Sequence, residues 1–232
     1  MSLYAASICN TIILKFLALS YKKESPMKYF PSTLLIALTL LSAGCLSSEK
    51  VLPAPKPAAS SSPQIHVISK ESENTYLKAV SAYGVGDHLT ALEMANDALS
   101  KDENNYKALS LKGIIQAFDI SPEEGIKTIK KSLAVNPDYV QAFFDMAMAQ
   151  KLGKHYDESI FYFQKVIEKD PGNTWSYYGI ATDYADKKDK NRALEYLKKA
   201  IELDSAQVKP QARIQDHFSW LHDDPDFLKL VQ

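Results

Sequence analysis

The sequence is poor in glycine and cysteine and has no excess of charge of either sign. It contains eight glycines and two cysteines among 232 residues, and its formal net charge is −1. So few glycines argue against a Rossmann or phosphate-loop protein, and the lack of a basic tract argues against nucleic-acid binding. No nucleophile elbow, phosphate loop or zinc motif occurs in the sequence. We therefore expect no enzyme, no cofactor and no small-molecule substrate.

The two cysteines lie near the N-terminus, at Cys9 and Cys45, and the second follows a typical export signal. From Met27 a lysine, an apolar run and a few small residues succeed one another, in the order MKYFPSTLLIALTLLSAGC. This is the architecture of a signal peptide, and its apolar run is too short for a comfortable membrane span. Residues 27–44 are therefore predicted to be a signal peptide. A chain cut before Cys45 keeps one cysteine and forms no internal disulfide, so its core alone must hold it together.

The end of this signal, LSAGC, resembles a bacterial lipobox, in which the cysteine is acylated and becomes the new N-terminus. The resemblance implies that Cys45 carries lipid and anchors the protein to a membrane. Leucine is favoured three residues before the cysteine, where this chain has Ser42, so a conventionally cleaved or uncleaved signal is the alternative. The residue after the cysteine is Leu46 and not an aspartate, and in this the chain resembles lipoproteins that are transported to an outer membrane. We expect a bacterial envelope lipoprotein, on the outer membrane if the organism has one.

Two segments flank the signal. Residues 1–26 would make it unusually long, and Lys23-Glu24 can be encoded as a ribosome-binding sequence, so we interpret them as a mis-annotated extension and place the start at Met27. A genuine longer leader that begins at Met1 is the alternative. Residues 45–65 are rich in proline, alanine and serine (VLPAPKPAASSSP) and are predicted to be an extended tether.

A period of 34 residues runs through the rest of the chain and defines four units, at 72–105, 106–139, 140–173 and 174–207. Small residues recur at fixed places of each unit. Place eight holds Ala79, Gly113, Ala147 and Ala181, and place twenty holds Ala91, Gly125, Ser159 and Ala193. Place twenty-seven holds Ala98, Ser132, Val166 and Ala200. Small side chains at these places let two helices approach closely.

This period and pattern resemble those of the tetratricopeptide repeat (TPR) family. The resemblance implies an all-α fold, a right-handed superhelical solenoid of antiparallel helix pairs, each with a helix A and a helix B. We expect four repeats over 66–207. Ser121, Pro122 and Glu124 form a capping box that starts the second B helix. Residues 208–232 are predicted to form a capping helix that begins near Pro210, with Ile214, Phe218 and Leu221 on its apolar face, and a short tail. The tail folds back on the cap or docks on a partner, and we favour folding back.

In the TPR family the A helices line a concave face where extended peptides bind. The resemblance implies a groove for an apolar or aromatic peptide here, and nine candidate residues face it: Tyr76, Val80, Tyr83, Lys107, Ile114, Phe144, Met148, Trp175 and Tyr178. The aromatic ones among them are alternatively interpreted as packing between adjacent A helices. Some members of the family hold a C-terminal carboxylate with a Lys, Asn and Arg clamp, and that clamp is missing here.

His217 and His222 stand five residues apart, a spacing that does not bring both rings to one helical face, so a metal site is not predicted. The sequence therefore predicts a lipid-anchored scaffold that binds a protein or peptide, plausible in the assembly of an envelope complex. A structural spacer without a ligand and a regulatory adaptor of a cell-wall enzyme are the alternatives.

Overall fold

The computed structural model describes residues 65–232, and every regular element in this part of the chain is helical. The upstream extension, the signal peptide, Cys45 and all but the last residue of the tether lie outside the described residues. Between Ile65 and Gln232, no helix combines the length and the apolar character that crossing a membrane requires.

Eight helices form four consecutive pairs, as the 34-residue period predicts. The first helices of the pairs, called here the A helices, are α1 Lys70–Gly84, α3 Tyr106–Asp119, α5 Val140–Leu152 and α7 Thr174–Asp186. The second, called the B helices, are α2 His88–Lys101, α4 Pro122–Val135, α6 Tyr156–Lys169 and α8 Lys190–Leu203. Three shorter elements follow, α9 Ser205–Ile214, a 3₁₀ helix Asp216–Leu221 and α10 Pro225–Val231.

Side-chain caps fix where most B helices begin. The predicted cap at Ser121 is confirmed, because its hydroxyl accepts a hydrogen bond from the backbone N–H of Glu124 at 3.2 Å. Asp87 and Asp189 play the same part for α2 and α8. Each such bond satisfies one of the backbone donors left free in a first helical turn. The capping residues therefore determine where these B helices begin, at the positions that the repeat period predicts.

The small residues at places eight, twenty and twenty-seven are all buried in the four pairs. The second pair shows why they must be small. A Cβ added to Gly125 would lie 2.5 Å from the Cβ of Ala117 and 2.6 Å from the carbonyl oxygen of Gly113. These distances are too short for any side chain, so α3 and α4 cross with their backbones nearly in contact. The predicted close crossing of A and B helices is confirmed.

The turn from helix A to helix B uses a left-handed residue in three of the four pairs. Gly86 has φ of 81°, and Lys154 and Lys188, at the equivalent places, have φ of 61° and 63°. Glycine adopts this conformation freely, whereas a lysine is strained there. In the second pair Ile120 takes φ of −119° instead, as expected of a β-branched residue, and the turn closes on Ser121.

Each A helix after the first packs against both helices of the preceding pair. Consecutive A helices touch one another, most extensively α3 and α5, while among the described helices no two consecutive B helices reach comparable contact. The stack is therefore closed along its A side between α3 and α5 and open between its B helices. We call the surface formed by α1, α3, α5 and α7 the A face, and the opposite surface the B face.

The C-terminal segment caps the fourth pair, but its helix boundaries differ from the prediction. Helix α9 begins at Ser205, not near Pro210, because the carboxylate of Asp204 accepts from the backbone N–H of Gln207 at 3.1 Å. It ends at Ile214, whose side chain is 55% exposed rather than buried. Phe218 follows on the 3₁₀ helix, fully buried together with Leu221 three residues later.

The tail after the cap folds back, as favoured from the sequence. Phe227 and Val231 of α10 are buried, and the ring of Phe227 stacks on that of Phe218 with centroids 5.7 Å apart. Lys190 at the start of α8 reaches the carboxylates of Asp224 and Asp226, at 2.5 and 2.8 Å. The tail therefore completes the core of the last pair.

Candidate functional site

The nine residues predicted to line a groove fall into two sets on the A face. Five are buried within the stack: Tyr76, Tyr83, Ile114, Met148 and Tyr178. Four are half-buried and reach the surface, one from each pair: Val80, Lys107, Phe144 and Trp175. We call these four the A-face row. Binding at all nine remains a prediction, and the row is the part that a partner reaches without moving other side chains.

The buried tyrosine of the fourth pair is covered by the C-terminal cap. The hydroxyl of Tyr178 donates to the side-chain oxygen of Gln215 at 3.0 Å, and its ring lies 6.0 Å from that of Phe218. The cap thus occupies the position next to Tyr178 that a fifth repeat would fill. Trp175, one turn earlier, stays at the surface and meets the edge of Tyr178 at 5.7 Å.

Lys107, the second member of the row, lies in a charged stretch of the A face. Lys107 forms an ion pair with Glu73 at 2.7 Å and lies 6.0 Å from the centre of the Tyr76 ring. Both charged side chains are about three-tenths exposed, so solvent screens the pair and its net stabilisation is small. This end of the row therefore offers a partner hydrogen-bonding groups of both signs beside an aromatic ring.

Helix α5 carries a buried acid at the centre of the A side. Asp145 accepts hydrogen bonds from the hydroxyl of Ser110 at 2.6 Å and from the amide of Gln141 at 2.8 Å. Burial raises the pKa of Asp145 to about 7, although both hydrogen bonds favour the ionised form and oppose the rise. The carboxyl group is closed to the surface, so it contributes to packing between the second and third pairs rather than to binding.

A second polar cluster joins the third pair, the fourth pair and the cap. Lys151 lies 2.6 Å from Asp183 and 3.5 Å from Asp186, and Asp186 is 2.7 Å from the ring of His217. Burial raises the pKa of Asp183 against the opposing effect of Lys151. At Asp186 burial also acts upward, but the hydrogen bond with His217 and the charge of Lys151 outweigh it and lower the pKa.

Sequence reasoning missed these buried polar groups. Asp145 and Lys151 stand in the α5 sequence VQAFFDMAMAQKL, where a charged residue among apolar ones is a signal of a buried partner. The partners lie about one repeat away along the chain, at Ser110 and Asp183. The repeat period shows which helix pairs are neighbours but not which of their side chains are in contact. A charged residue in an apolar helix therefore indicates a buried polar group but does not identify its partner.

Models of known families match the third and fourth pairs. Two matches, both described as tetratricopeptide repeat, cover residues 141–173 and 176–207. These ranges fall within one residue or two of the units read from the period, and the fold has the helix pairs that such repeats form.

The chain contains tetratricopeptide repeats.

Solved structures agree with this TPR fold. A thermophilic TPR protein from Thermus thermophilus superposes with a TM-score of 0.59 at 14% identity, over 69% of this chain and 86% of that one. MamA from Desulfovibrio magneticus superposes with a TM-score of 0.53 at 17% identity, over 71% of this chain and 95% of that one. At such identities the likeness concerns the fold alone.

One curated relative is similar in sequence. Anaphase-promoting complex subunit 3 of Schizosaccharomyces pombe is 25% identical over 137 residues, which cover 59% of this chain. This chain spans about a fifth of the length of that relative, because the match covers 21% of it. The repeats matched here are protein–protein interaction modules of a non-catalytic family.

Proposed function

We propose that this TPR protein is a lipid-anchored scaffold of the bacterial cell envelope, with its protein partner held as an extended peptide along the A-face row. The anchor is Cys45, and the membrane is the outer one where the organism has two. Support for the anchor is the signal-like segment 27–44 that ends in LSAGC. Support for the binding surface is the row itself, which offers side chains from all four repeats on one side of the stack.

Trp175 is the single observation that carries the binding proposal. It is half-buried, and its ring is held against Tyr178 at 5.7 Å. No residue within 65–232 accepts a hydrogen bond from its indole N–H, so this donor is left for solvent or a partner. Tryptophan with a fixed ring and a free polar edge is a side chain that dominates binding at many protein interfaces.

The rest of the row defines the chemistry of the partner. Phe144 meets the edge of Phe163 at 5.5 Å and leaves part of its ring exposed, and Val80 adds an aliphatic patch at the first repeat. Lys107 stands between them in the stack, paired with Glu73. A peptide with apolar or aromatic side chains near both ends and a polar residue between them complements this order.

A role in assembling an envelope complex is part of the proposal. The curated relative is, by its name, a subunit of a multiprotein complex, and repeat stacks offer the extended surface that such subunits need. An adaptor that regulates a cell-wall enzyme uses the same surface. The identity of the captured partner distinguishes the two.

Photocrosslinking in intact cells tests the binding surface. We would place a benzophenone amino acid at Trp175 in one variant and at Phe161 in another. Phe161 is a matched control, because it is an aromatic residue of the B face and is 51% exposed. We expect a discrete protein adduct from position 175 and none of that size from position 161. Equal adducts from both positions, or none from position 175 in a folded protein, would contradict binding along the row and favour a spacer.

Labelling with a fatty-acid analogue tests the anchor separately. We expect the wild-type protein to take up the label and to sediment with membranes, and the Cys45→Ser variant to lose the label and accumulate as an unprocessed precursor. Uptake of label by Cys45→Ser would contradict acylation at this cysteine.

A further inference from the structure

A cleft of about 580 Å³ opens on the B face between the second and third repeats. One wall is helix α4, with Lys127, Lys130 and Lys131. The other is formed by Gln150 near the end of α5 and by His155, which directly precedes α6. Buried Ile126 contributes an apolar surface between them. The cleft exists because consecutive B helices stand apart while the A side of the stack is closed. Its size is within the range of ligand-binding pockets.

The charges along this cleft are not neutralised within the described part of the chain. Lys130 and Lys131 follow Lys127 by three and four residues, so both adjoin it on the surface of α4. No ion pair with a described acid involves any of the three lysines. Lysines of the later B helices differ. Lys165 of α6 pairs with Glu168 at 2.8 Å, and Lys199 of α8 pairs with Glu195 at 2.8 Å.

His155 adds a ring whose partner carries no charge. Its Nδ1 lies 2.9 Å from the side-chain oxygen of buried Gln150, so this nitrogen donates and Nε2 is left for the cleft. Three other described histidines bind a carboxylate instead, in the pairs His66–Asp102, His88–Asp119 and His217–Asp186. No described carboxylate therefore competes with a ligand for the His155 ring.

We propose that this cleft is a second binding site, which takes an acidic peptide segment of a partner protein. Charge complementarity is the argument: lysines spread over one turn match carboxylates on successive residues of a peptide, and Ile126 with the lysine methylenes packs on its backbone and side-chain carbons. A small phosphate group fits less well. No arginine lines the cleft, so it lacks the bidentate donors that hold a compact phosphate group. This site lies apart from the A-face row and extends the proposed function.

Fluorescence anisotropy with labelled hexaglutamate tests the site on the purified protein. The variant Lys127→Gln/Lys130→Gln/Lys131→Gln removes the charge and keeps good helix formers at exposed positions. The matched control is Lys165→Gln/Lys199→Gln, which removes lysines of two other B helices. We expect the first variant to weaken hexaglutamate binding about tenfold and the control to change it less than about twofold.

A charge-reversal variant gives a second measurement, which stays informative if the substitutions partly destabilise the protein. The Lys127→Glu/Lys130→Glu/Lys131→Glu variant should bind labelled hexalysine and lose hexaglutamate binding. Unchanged hexaglutamate binding by the glutamine variant would overturn the proposal. Two further outcomes would also overturn it: lysine-dependent binding of phosphatidylglycerol vesicles without hexaglutamate binding, and competition of inorganic phosphate as effective as that of hexaglutamate. Photocrosslinking at Trp175 tests the A-face row independently of the cleft. A negative result at one site therefore does not contradict binding at the other.

Discussion

Replacement of Asp145 by asparagine probes the energetics of the closed A side of the stack. The carboxyl group is fully buried, and both hydrogen bonds that it accepts come from neutral groups, the Ser110 hydroxyl and the Gln141 amide. In the asparagine variant the amide oxygen accepts from Gln141, while its NH₂ group donates to the Ser110 hydroxyl, which turns to accept. The change therefore removes an ionisable group and keeps the number of hydrogen bonds.

The magnitude follows from the pKa of Asp145, which burial raises from 3.8 to about 7. Because the folded-state pKa is higher than the unfolded-state pKa, the folded protein holds a proton that the unfolded chain releases between these values. Stability is therefore highest below the unfolded-state pKa and falls as the pH rises toward the folded-state pKa. Between the two pKa values the free energy of unfolding falls by about 1.4 kcal/mol for each pH unit. The total loss is roughly 4 kcal/mol above the folded-state pKa.

Urea unfolding followed by circular dichroism measures this effect in both proteins. The difference in unfolding free energy between the variant and the wild type cancels the contributions of other titrating groups, Asp183 among them. We expect Asp145→Asn to be the more stable protein by roughly 1.5 kcal/mol near pH 5 and by roughly 4 kcal/mol near pH 8. A difference that stays constant over this range would refute the assignment of a neutral buried acid.

Three further predictions concern packing, a turn and an ion pair, and all are measured by urea unfolding at neutral pH. Gly125→Ala should destabilise the protein by about 1–3 kcal/mol, because the new methyl group meets the backbone of α3. Lys154→Gly should stabilise it by about 0.5–1 kcal/mol, because glycine relieves the strain of φ at 61°. Lys151→Met should destabilise it by about 3–5 kcal/mol, because Asp183 keeps a buried carboxyl group without its cation.

Two of these changes have a control. Gly172→Ala places a methyl group where the nearest atom is 3.5 Å away, so it should leave stability within about 0.5 kcal/mol. If Gly125→Ala behaves in the same way, the close helix crossing is not rigid. Asp183→Asn added to Lys151→Met should recover most of the loss, and an unchanged loss would mean that Lys151 acts through packing instead. A destabilising Lys154→Gly would show that the turn is not strained.

The repeat period predicted the stack because its cause is steric and local. Residues such as Ala79 and Ser159 are small at places where two helices cross, and this requirement recurs every 34 residues whatever the neighbours are. The start of α4 was predictable for a similar reason, since Ser121 caps a backbone donor three residues away. Both signals involve residues whose partners are fixed by helix geometry.

The C-terminal cap was harder to predict because it lies beyond the period. Pro210 suggested a helix start, but Asp204 supplies a stronger one and the proline is accommodated inside α9. Ile214 and Phe218 fit one face of a continuous α-helix. The chain instead continues as a 3₁₀ helix, in which residues three apart align, and this arrangement buries Phe218 with Leu221.

Only part of the candidate groove was predictable. The sequence indicated which residues stand on the A helices, but the depth of each side chain depends on what the next repeat or the cap places over it. Tyr178 is buried because Gln215 and Phe218 cover it, and Trp175 stays at the surface one turn away. Contacts of this kind join residues more than thirty positions apart, and a single sequence does not reveal them.

The polar contacts between successive repeats differ at every junction, and this difference has a consequence for folding. Glu73 with Lys107 marks the first junction, Ser110 with Asp145 the second, and Lys151 with Asp183 the third. Arrays of similar repeats are prone to misassembly, in which one repeat takes the place of another or pairs with a second molecule. A repeat shifted by one position here would strand Asp145 or Lys151 inside the protein opposite the wrong neighbour. The different polar contacts at the junctions therefore favour one order of the four repeats.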